Sequence, residues 1–126
     1  MRNLNIRINV IYLDDDPDLC EIFSDEFGTE QIIITTFTDV QKSIDAIKEN
    51  ETDVIFVDYH LKKTNGDLVA LEMPEHIPKY LITGELFVDT QSKFKGVFEK
   101  PWDIESIRLV FTSLLIAKKP IPSSKN

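Results

Sequence analysis

Short apolar segments rich in β-branched residues alternate along this chain with segments of helical periodicity. The segments predicted to be strands are residues 8–13, 32–37, 52–57, 79–82 and 97–99. Apolar runs of this length are typical of strands that are buried on both faces of a parallel sheet. Strands that alternate with helices predict right-handed crossovers between parallel strands. The predicted fold is therefore a three-layer α/β sandwich, in which a five-stranded parallel sheet is the middle layer.

Capping residues indicate where the first two helices begin. Asp16 and Pro17 are typical of an N-cap and of a first helical residue, and Gly28 is typical of a residue that ends a helix. Thr38 or Asp39 provides the N-cap of a second helix. These residues predict both ends of the first helix and the start of the second.

The third and fourth helices are predicted to be shortened. Residues 66–73 show a brief helical pattern that Pro74 cuts off. Between Gly84 and Gly96 the apolar residues form no helical stripe, so this segment is predicted to be a single turn or a loop.

The last helix carries more apolar residues than one buried face needs. Asp103 is its predicted N-cap. The side chains predicted to face the core are those of Ile104, Ile107, Phe111, Leu114 and Leu115. Leu109, Val110 and Ile116 lie beyond this stripe. Either they form a face for a partner or for a second copy of the chain, or the reduced fourth helix leaves more of this helix covered.

Composition limits the classes of function. The chain has 126 residues, enough for one domain, and a net charge of −8 from 22 acidic and 14 basic residues. Nucleic acid and anionic membranes repel such a chain, so neither is predicted as a direct partner. A single cysteine excludes an internal disulfide framework and favours a reducing, cytoplasmic compartment. No apolar run approaches the roughly 20 residues of a membrane-spanning helix, and no signal peptide is predicted.

Polar residues follow the predicted strands at the points where the strands end. Residues 14–16, all Asp, follow the first strand, Asp58 follows the third, Thr83 the fourth and Lys100 the fifth. The carboxyl ends of parallel strands meet at one edge of the sheet, where ligands of such folds bind. Like charges about 4 Å apart repel by about 4 kcal/mol at an effective dielectric constant of about 20, so clustered carboxylates need a cation. Oxygen ligands favour Mg²⁺ or Mn²⁺, which with a lysine and a hydroxyl provide the parts of a phosphoryl-transfer site.

Four segments at these strand ends resemble the signature blocks of one family. In chain order they read VIYLDDDPD, DVIFVDYHLKKTNGD, YLITGE and VFEKPWD. They resemble the receiver domain of two-component response regulators over residues 6–119. The resemblance implies a flavodoxin-like (βα)5 fold and a stand-alone, chemotaxis-regulator-like receiver over residues 1–119. The prolines and serines that follow predict a flexible tail over residues 120–126. The implied function is to accept a phosphoryl group from a histidine kinase or a phosphotransfer protein and then to switch the binding of a downstream protein, which the sequence does not identify.

The resemblance also implies a magnesium site. Asp58 matches the phospho-acceptor, so the chain is expected to be a signalling protein that catalyses only its own phosphorylation and dephosphorylation. Asp15 matches the residue that binds Mg²⁺ directly, and Asp14 matches its partner, which often acts through water. The main-chain carbonyl of His60 would complete the protein's share of the metal ligands.

Two further residues match the groups that respond to the phosphoryl group. Thr83 matches the switch hydroxyl and Lys100 the lysine that pairs with phosphate, and the peptide bond before Pro101 is often cis in this family. Where the family usually has Tyr or Phe, this chain has Val97, and Phe98 points to the opposite face of the strand. This departure leaves a second hypothesis open, namely a pseudo-receiver that binds a protein without phosphorylation.

A small phosphatase that forms an aspartyl phosphate is a third hypothesis. The run of residues 14–16 does not supply the DxDxT order of haloacid-dehalogenase-type phosphatases. The receiver is therefore favoured over this enzyme, and turnover of a chromogenic phosphate ester would distinguish the two.

Overall fold

Five strands and four helices lie within residues 6–85 and 88–118, the part of the chain that the computed structural model describes. The strands are β1 (Ile8–Leu13), β2 (Ile32–Phe37), β3 (Val54–Asp58), β4 (Lys79–Thr83) and β5 (Gly96–Glu99). The helices are α1 (Pro17–Phe27), α2 (Val40–Glu49), α3 (Gly66–Ala70) and α4 (Ile104–Lys118). All five predicted strands are present, whereas the predicted boundary at residue 119 and the tail beyond it lie outside the described residues.

The strands form one sheet in the order β2-β1-β3-β4-β5. Every neighbouring pair is parallel, which confirms the predicted three-layer, flavodoxin-like architecture. The chain proceeds from β1 towards one edge of the sheet and from β3 towards the other, so the gap between these strands is the switch point where ligands bind in such sheets. Because Leu13 is aligned with Val57, the next residues, Asp14 and Asp58, lie side by side at the carboxyl ends of the two strands.

Apolar side chains on the two faces of the sheet form two separate cores. On one face, Tyr12 of β1 and Phe56 of β3 pack with Phe23 of α1 and Phe111 of α4, and all four are at most 1% exposed. On the other face, β1 and β3 pack against α2 and α3. Successive side chains of a strand point to opposite faces, which explains why the central strands are apolar throughout.

Two capping side chains fix the starts of α1 and α2. Asp16 Oδ1 accepts hydrogen bonds from the main-chain N–H groups of Asp18 (2.9 Å) and Leu19 (3.4 Å). Asp39 Oδ2 accepts one from the N–H of Lys42 (2.9 Å). In both helices a carboxylate thus satisfies N–H groups of the first turn that have no partner within the helix, and the predicted caps are confirmed.

The helical layer is thinner beside β4 and β5 than elsewhere. Helix α3 has five residues and ends at Ala70, before the predicted end at Met73. In the described residues between β4 and β5, 84–85 and 88–95, there is no helix. Of the two forms predicted for this connection, the structure therefore shows the loop, and the expected shortened fourth helix is missing from these residues.

A buried carboxylate holds this connection against α3. The Asp67 side chain, 5% exposed, accepts hydrogen bonds from the main-chain N–H groups of Gln91 (2.7 Å) and Ser92 (2.8 Å). The Ser92 hydroxyl donates to the main-chain carbonyl oxygen of Asp67 (2.8 Å). Because a buried carboxylate is unfavourable without hydrogen bonds, Asp67 couples the position of the loop to the position of α3.

Helix α4 buries fewer side chains than predicted. Ile107 and Phe111 are buried, but Ile104, which was predicted to face the core, is 38% exposed. Ile104 is the first helical residue, where the preceding turn that would help to cover it is missing. Leu109 and Ile116 are each 65% exposed, so the explanation that they remain covered is wrong for these two residues, whereas Val110 is partly buried against the core. Among the described residues, no helix combines the length and the apolar character needed to cross a membrane.

Candidate functional site

Three carboxylates meet beyond the carboxyl ends of β1 and β3. Asp14 and Asp58 are 1% and 4% exposed, and Asp15 is partly buried. One carboxylate oxygen from each of the three residues lies within 4.8 Å of the other two. The strand order thus brings together the three acidic residues that were predicted to hold a metal ion.

The ammonium group of Lys100 lies between two of these carboxylates. Its Nζ is 3.0 Å from Asp14 Oδ2 and 3.0 Å from Asp58 Oδ1. The main-chain N–H of Lys100 donates to the carbonyl oxygen of Thr83 (3.0 Å), which holds the end of β5 beside the end of β4. The peptide bond between Lys100 and Pro101 is cis, in agreement with the expectation from the resemblance. One lysine thus connects the ends of β1, β3 and β5.

The cluster carries more negative than positive charge. Burial and the neighbouring charge of Asp14 raise the pKa of Asp58, and although Lys100 lowers it, the pKa is about 6. Burial lowers the pKa of Lys100, but hydrogen bonds and charges from Asp14 and Asp58 outweigh burial and raise it above its ordinary value. Lys100 is therefore protonated at neutral pH, yet one ammonium group does not fully compensate the repulsion between the carboxylates.

The donor set fits a small, hard divalent cation. The clustered groups are Asp14, Asp15 and Asp58, so every side-chain donor is an oxygen. Oxygen ligands are those that Mg²⁺ and Mn²⁺ take in proteins, whereas zinc sites usually include imidazole or thiolate. The uncompensated negative charge makes the binding of such a cation favourable.

Two donors besides Lys100 hold the Asp14 carboxylate. The hydroxyl of Tyr12 donates to Asp14 Oδ2 (2.8 Å), and the main-chain N–H of Asp16 donates to Oδ1 (3.0 Å). Burial, followed by the charge of Asp14, strongly raises the pKa of Tyr12, so its phenol keeps its proton and acts as a donor. Tyr12 was not among the predicted site residues. The one available signal was its position two residues before Asp14, on the same face of the strand.

The chain passes close to Asp58 again where α3 begins. The N–H of Gly66 donates to the carbonyl oxygen of Tyr59 (2.8 Å). A Cβ atom on Gly66 would overlap the carbonyl oxygen of Asp58 and would lie 2.8 Å from Val57 Cγ1. Such contacts are too short for any side chain, so this close approach of two backbone segments requires glycine.

The loops that follow β3 and β4 contact each other through two side chains. His60 Nε2 lies 2.6 Å from Glu85 Oε2, and the two side chains are 64% and 47% exposed. The His60 ring is thus directed to Glu85, and the metal-binding role of its main-chain carbonyl stays a prediction. Thr83 is buried, and its hydroxyl oxygen accepts a hydrogen bond from the main-chain N–H of Glu85 (3.0 Å).

The alternation of Val97 and Phe98 along β5 is confirmed. Val97 is 53% exposed, whereas Phe98 packs in the core on the other face, with its ring centroid 5.5 Å from that of Tyr80 and 6.2 Å from that of Phe56. Val97 is aligned with Leu81 of β4, two residues before Thr83. The face of β5 that corresponds to Thr83 therefore carries no aromatic side chain.

Solved structures share this fold at low sequence identity. A comparison of the sequence with protein-family models and with curated proteins finds no match. A signal receiver domain of an HD domain-containing protein from Pseudomonas fluorescens has a TM-score of 0.77 at 15% identity, with 89% of this chain and 97% of that chain covered. The receiver domain of a Francisella response regulator has a TM-score of 0.74 at 18% identity, with 90% of this chain and 100% of that chain covered.

A third similar structure contains ligands. It is the response regulator protein TrrA from Thermotoga maritima in complex with Mg²⁺-BeF, with a TM-score of 0.75 at 17% identity, covering 85% of this chain and 98% of that chain. At these identities the likeness concerns the fold, and this chain has the fold of response regulator receiver domains.

Proposed function

We propose that this chain is a response regulator receiver that accepts a phosphoryl group on Asp58 from a histidine kinase or a phosphotransfer protein. The observation that carries the proposal is the position of Lys100 Nζ, 3.0 Å from both Asp14 and Asp58, in a cluster that also contains Asp15. A fixed cation and several carboxylates around one buried aspartate provide the charges that phosphoryl transfer needs. The fold shared with solved receiver domains supports the same assignment.

In the proposed reaction a carboxylate oxygen of Asp58 is the nucleophile. It forms a bond to phosphorus while the bond between phosphorus and the imidazole nitrogen of the donor breaks, and the electron pair of that bond leaves with the imidazole. Lys100 already contacts Asp58, so it is placed to balance the negative charge that the acceptor gains. Hydrolysis of the resulting acyl phosphate by water returns the chain to its starting state.

Asp14, Asp15 and Asp58, together with the main-chain carbonyl of His60, would hold Mg²⁺ or Mn²⁺. When bound, the cation supplies positive charge to a phosphoryl oxygen. The carboxylate of Asp14 already accepts three hydrogen bonds within the protein. Asp15 and Asp58 are therefore better suited to direct coordination, and Asp14 to a contact through water.

Thr83 is proposed to connect phosphorylation to partner binding. Its hydroxyl oxygen accepts the N–H of Glu85, and its own O–H is a donor for a phosphoryl oxygen on Asp58. A shift of Thr83 would carry Glu85 with it and would disturb the contact between Glu85 and His60. The surface formed by these two loops would then differ between the two states, which lets a downstream protein select one of them.

The wild-type chain is expected to take up about one phosphoryl group per molecule from radiolabelled acetyl phosphate, because one carboxylate is the acceptor. Labelling should require Mg²⁺ and stop when EDTA is added, and the label should be lost in alkali, as an acyl phosphate is. Borohydride reduction followed by peptide mass spectrometry should place it at Asp58. Label that survives alkali, or that maps to another residue, would contradict the proposal.

The exposed Val97 favours a second candidate function, a pseudo-receiver that binds a protein partner without phosphorylation. The face of β5 that corresponds to Thr83 carries no aromatic side chain, so one element of the family's switch is missing. A pseudo-receiver would take up no label from acetyl phosphate. Its wild-type form and its Asp58→Asn variant would also capture a partner equally well.

The outer face of α4 is the candidate surface for a downstream protein or for a second copy of the chain. Leu109 and Ile116 are both exposed and lie seven residues apart, which places them on the same side of the helix. The proposed phosphoryl donors act in the cytoplasm, and we propose the same compartment for this chain.

A further inference from the structure

A buried tyrosine contacts the acidic cluster that the proposed reaction uses. Tyr12 is 0% exposed, and its hydroxyl donates to Asp14 Oδ2 at 2.8 Å. The same oxygen accepts a hydrogen bond from Lys100 Nζ at 3.0 Å, and Lys100 Nζ in turn lies 3.0 Å from Asp58 Oδ1. Two hydrogen bonds and one ion pair thus lead from the core of the domain to the proposed acceptor.

We propose that Tyr12 is a positioning residue, whose hydroxyl shares the Asp14 carboxylate with Lys100 and thereby leaves Lys100 free to pair with an anion bound to Asp58. This inference rests on the proposed function, because it concerns the same site. A buried carboxylate that loses one donor holds the remaining donors more firmly. Without the phenol, Lys100 would be the one side chain among the described residues that donates to the carboxylate of Asp14.

The packing around Tyr12 defines the direction of its hydroxyl. Its ring is stacked on that of Phe23 with centroids 4.1 Å apart and meets the edge of Trp102 at 6.0 Å. Both neighbours belong to the segments that flank the site, α1 and the turn after Lys100. A phenylalanine at position 12 fills the same space, so Tyr12→Phe removes the hydroxyl with little change in packing.

The substitution is expected to separate the binding of an anion from the binding of the metal. With Mg²⁺ at saturation, Tyr12→Phe should weaken the binding of beryllofluoride, a mimic of the phosphoryl group, by about five- to tenfold, because Lys100 is retained by Asp14. The affinity for Mg²⁺ alone should change by less than about twofold, since Asp15 and Asp58 keep their oxygens. Fluorine NMR of the bound mimic and the fluorescence of Trp102, the single tryptophan, measure the two affinities.

Tyr80→Phe is the matched control. Tyr80 packs in the same core, stacked on Phe56 with ring centroids 5.3 Å apart, but it lies near the start of β4, at the opposite end of the sheet from the cluster. This variant loses the same hydroxyl and should bind both Mg²⁺ and beryllofluoride as the wild type does. An equal effect of the two substitutions would contradict a specific role of Tyr12.

A double-mutant cycle with Asp14→Asn completes the test. Once the negative charge of Asp14 is removed, Lys100 is no longer retained there, so Tyr12→Phe should have little further effect on beryllofluoride binding. An undiminished effect in this background, or a parallel loss of Mg²⁺ affinity, would overturn the inference about Tyr12 and leave the proposed function intact. A wild-type chain that binds no beryllofluoride would instead contradict the proposed function, and this inference with it.

Discussion

Replacing Asp58 with Asn is expected to abolish phosphoryl uptake and, in metal-free buffer, to stabilise the fold by about 1–3 kcal/mol. The loss of uptake follows because the amide is not a nucleophile. The gain in stability follows because Asp58 is 4% exposed and has a pKa of about 6, against an ordinary value of 3.8, which shows that its site disfavours the ionised form. Removing this charge relieves its repulsion with Asp14.

The effect of Asp58→Asn on stability should depend on pH. Because the pKa of Asp58 is raised in the folded state, the folded chain binds this proton more tightly than the unfolded chain does. The contribution of Asp58 to stability therefore falls as pH rises from 3.8 to about 6 and is constant at higher pH. Urea unfolding with EDTA should show a small advantage of the variant near about pH 4 and the full advantage at about pH 7. Added Mg²⁺ should stabilise the wild type more than the variant.

Asp53→Asn provides a control at the residue that precedes the same strand. Asp53 lies just before β3 and accepts hydrogen bonds from the N–H of Asn9 (2.7 Å) and from Lys118 Nζ (3.1 Å). Within the part of the chain that the structure describes, it does not belong to a cluster of three carboxylates. The same substitution there should lower the free energy of unfolding by about 1 kcal/mol, because a favourable charge is removed. A loss of stability in both variants would show that the acidic cluster does not destabilise the fold.

Replacing Gly66 with Ala is expected to lower the free energy of unfolding by about 2–4 kcal/mol and to weaken Mg²⁺ binding. The new Cβ would overlap the carbonyl oxygen of Asp58 and would lie 2.8 Å from Val57 Cγ1. Since both neighbours belong to a fully buried strand, the start of α3 must move away, and Asp58 must shift with the backbone that it contacts. Urea unfolding and Mg²⁺ titration measure the two effects.

Gly84→Ala is the matched control for Gly66→Ala. Gly84 follows Thr83 directly, and a Cβ at this position meets no atom within 4 Å. The free energy of unfolding should therefore change by less than about 0.5 kcal/mol. Similar losses at the two glycines would show that the close approach of α3 to Asp58 is not what constrains position 66.

Much of the fold could be predicted from local sequence patterns. Residues 8–13 and 54–57 are buried on both faces of the sheet, and this is why each is almost uninterruptedly apolar in the sequence. A loop was one of the two structures predicted for the segment between β4 and β5, the other being a single helical turn. The residue that binds this loop, Asp67, was not predicted. Asp67 lies 24 and 25 residues from its partners Gln91 and Ser92, and an acidic residue in a short helix ordinarily indicates exposure to solvent.

The convergence of the site residues was predictable because the topology brings distant strand ends to one edge. Asp14, Asp58 and Lys100 need only the strand order to be neighbours. The position of Tyr12 two residues before Asp14 was too weak a signal to predict its role, because a tyrosine within an apolar strand has the same pattern whether its hydroxyl reaches a carboxylate or water. The exposure of Ile104 was missed because helical periodicity does not show where the neighbouring elements stop.

The buried Asp67 also limits how this fold can diverge. An acidic residue is tolerated at position 67 because the short segment between β4 and β5 brings the main-chain N–H groups of Gln91 and Ser92 to α3. In a relative whose connection forms a complete helix, those groups would bond within that helix, and the acid would be left without donors. The residue type at position 67 should therefore covary with the length of the segment between β4 and β5. Homologues in which this segment forms a helix should carry an apolar side chain at position 67.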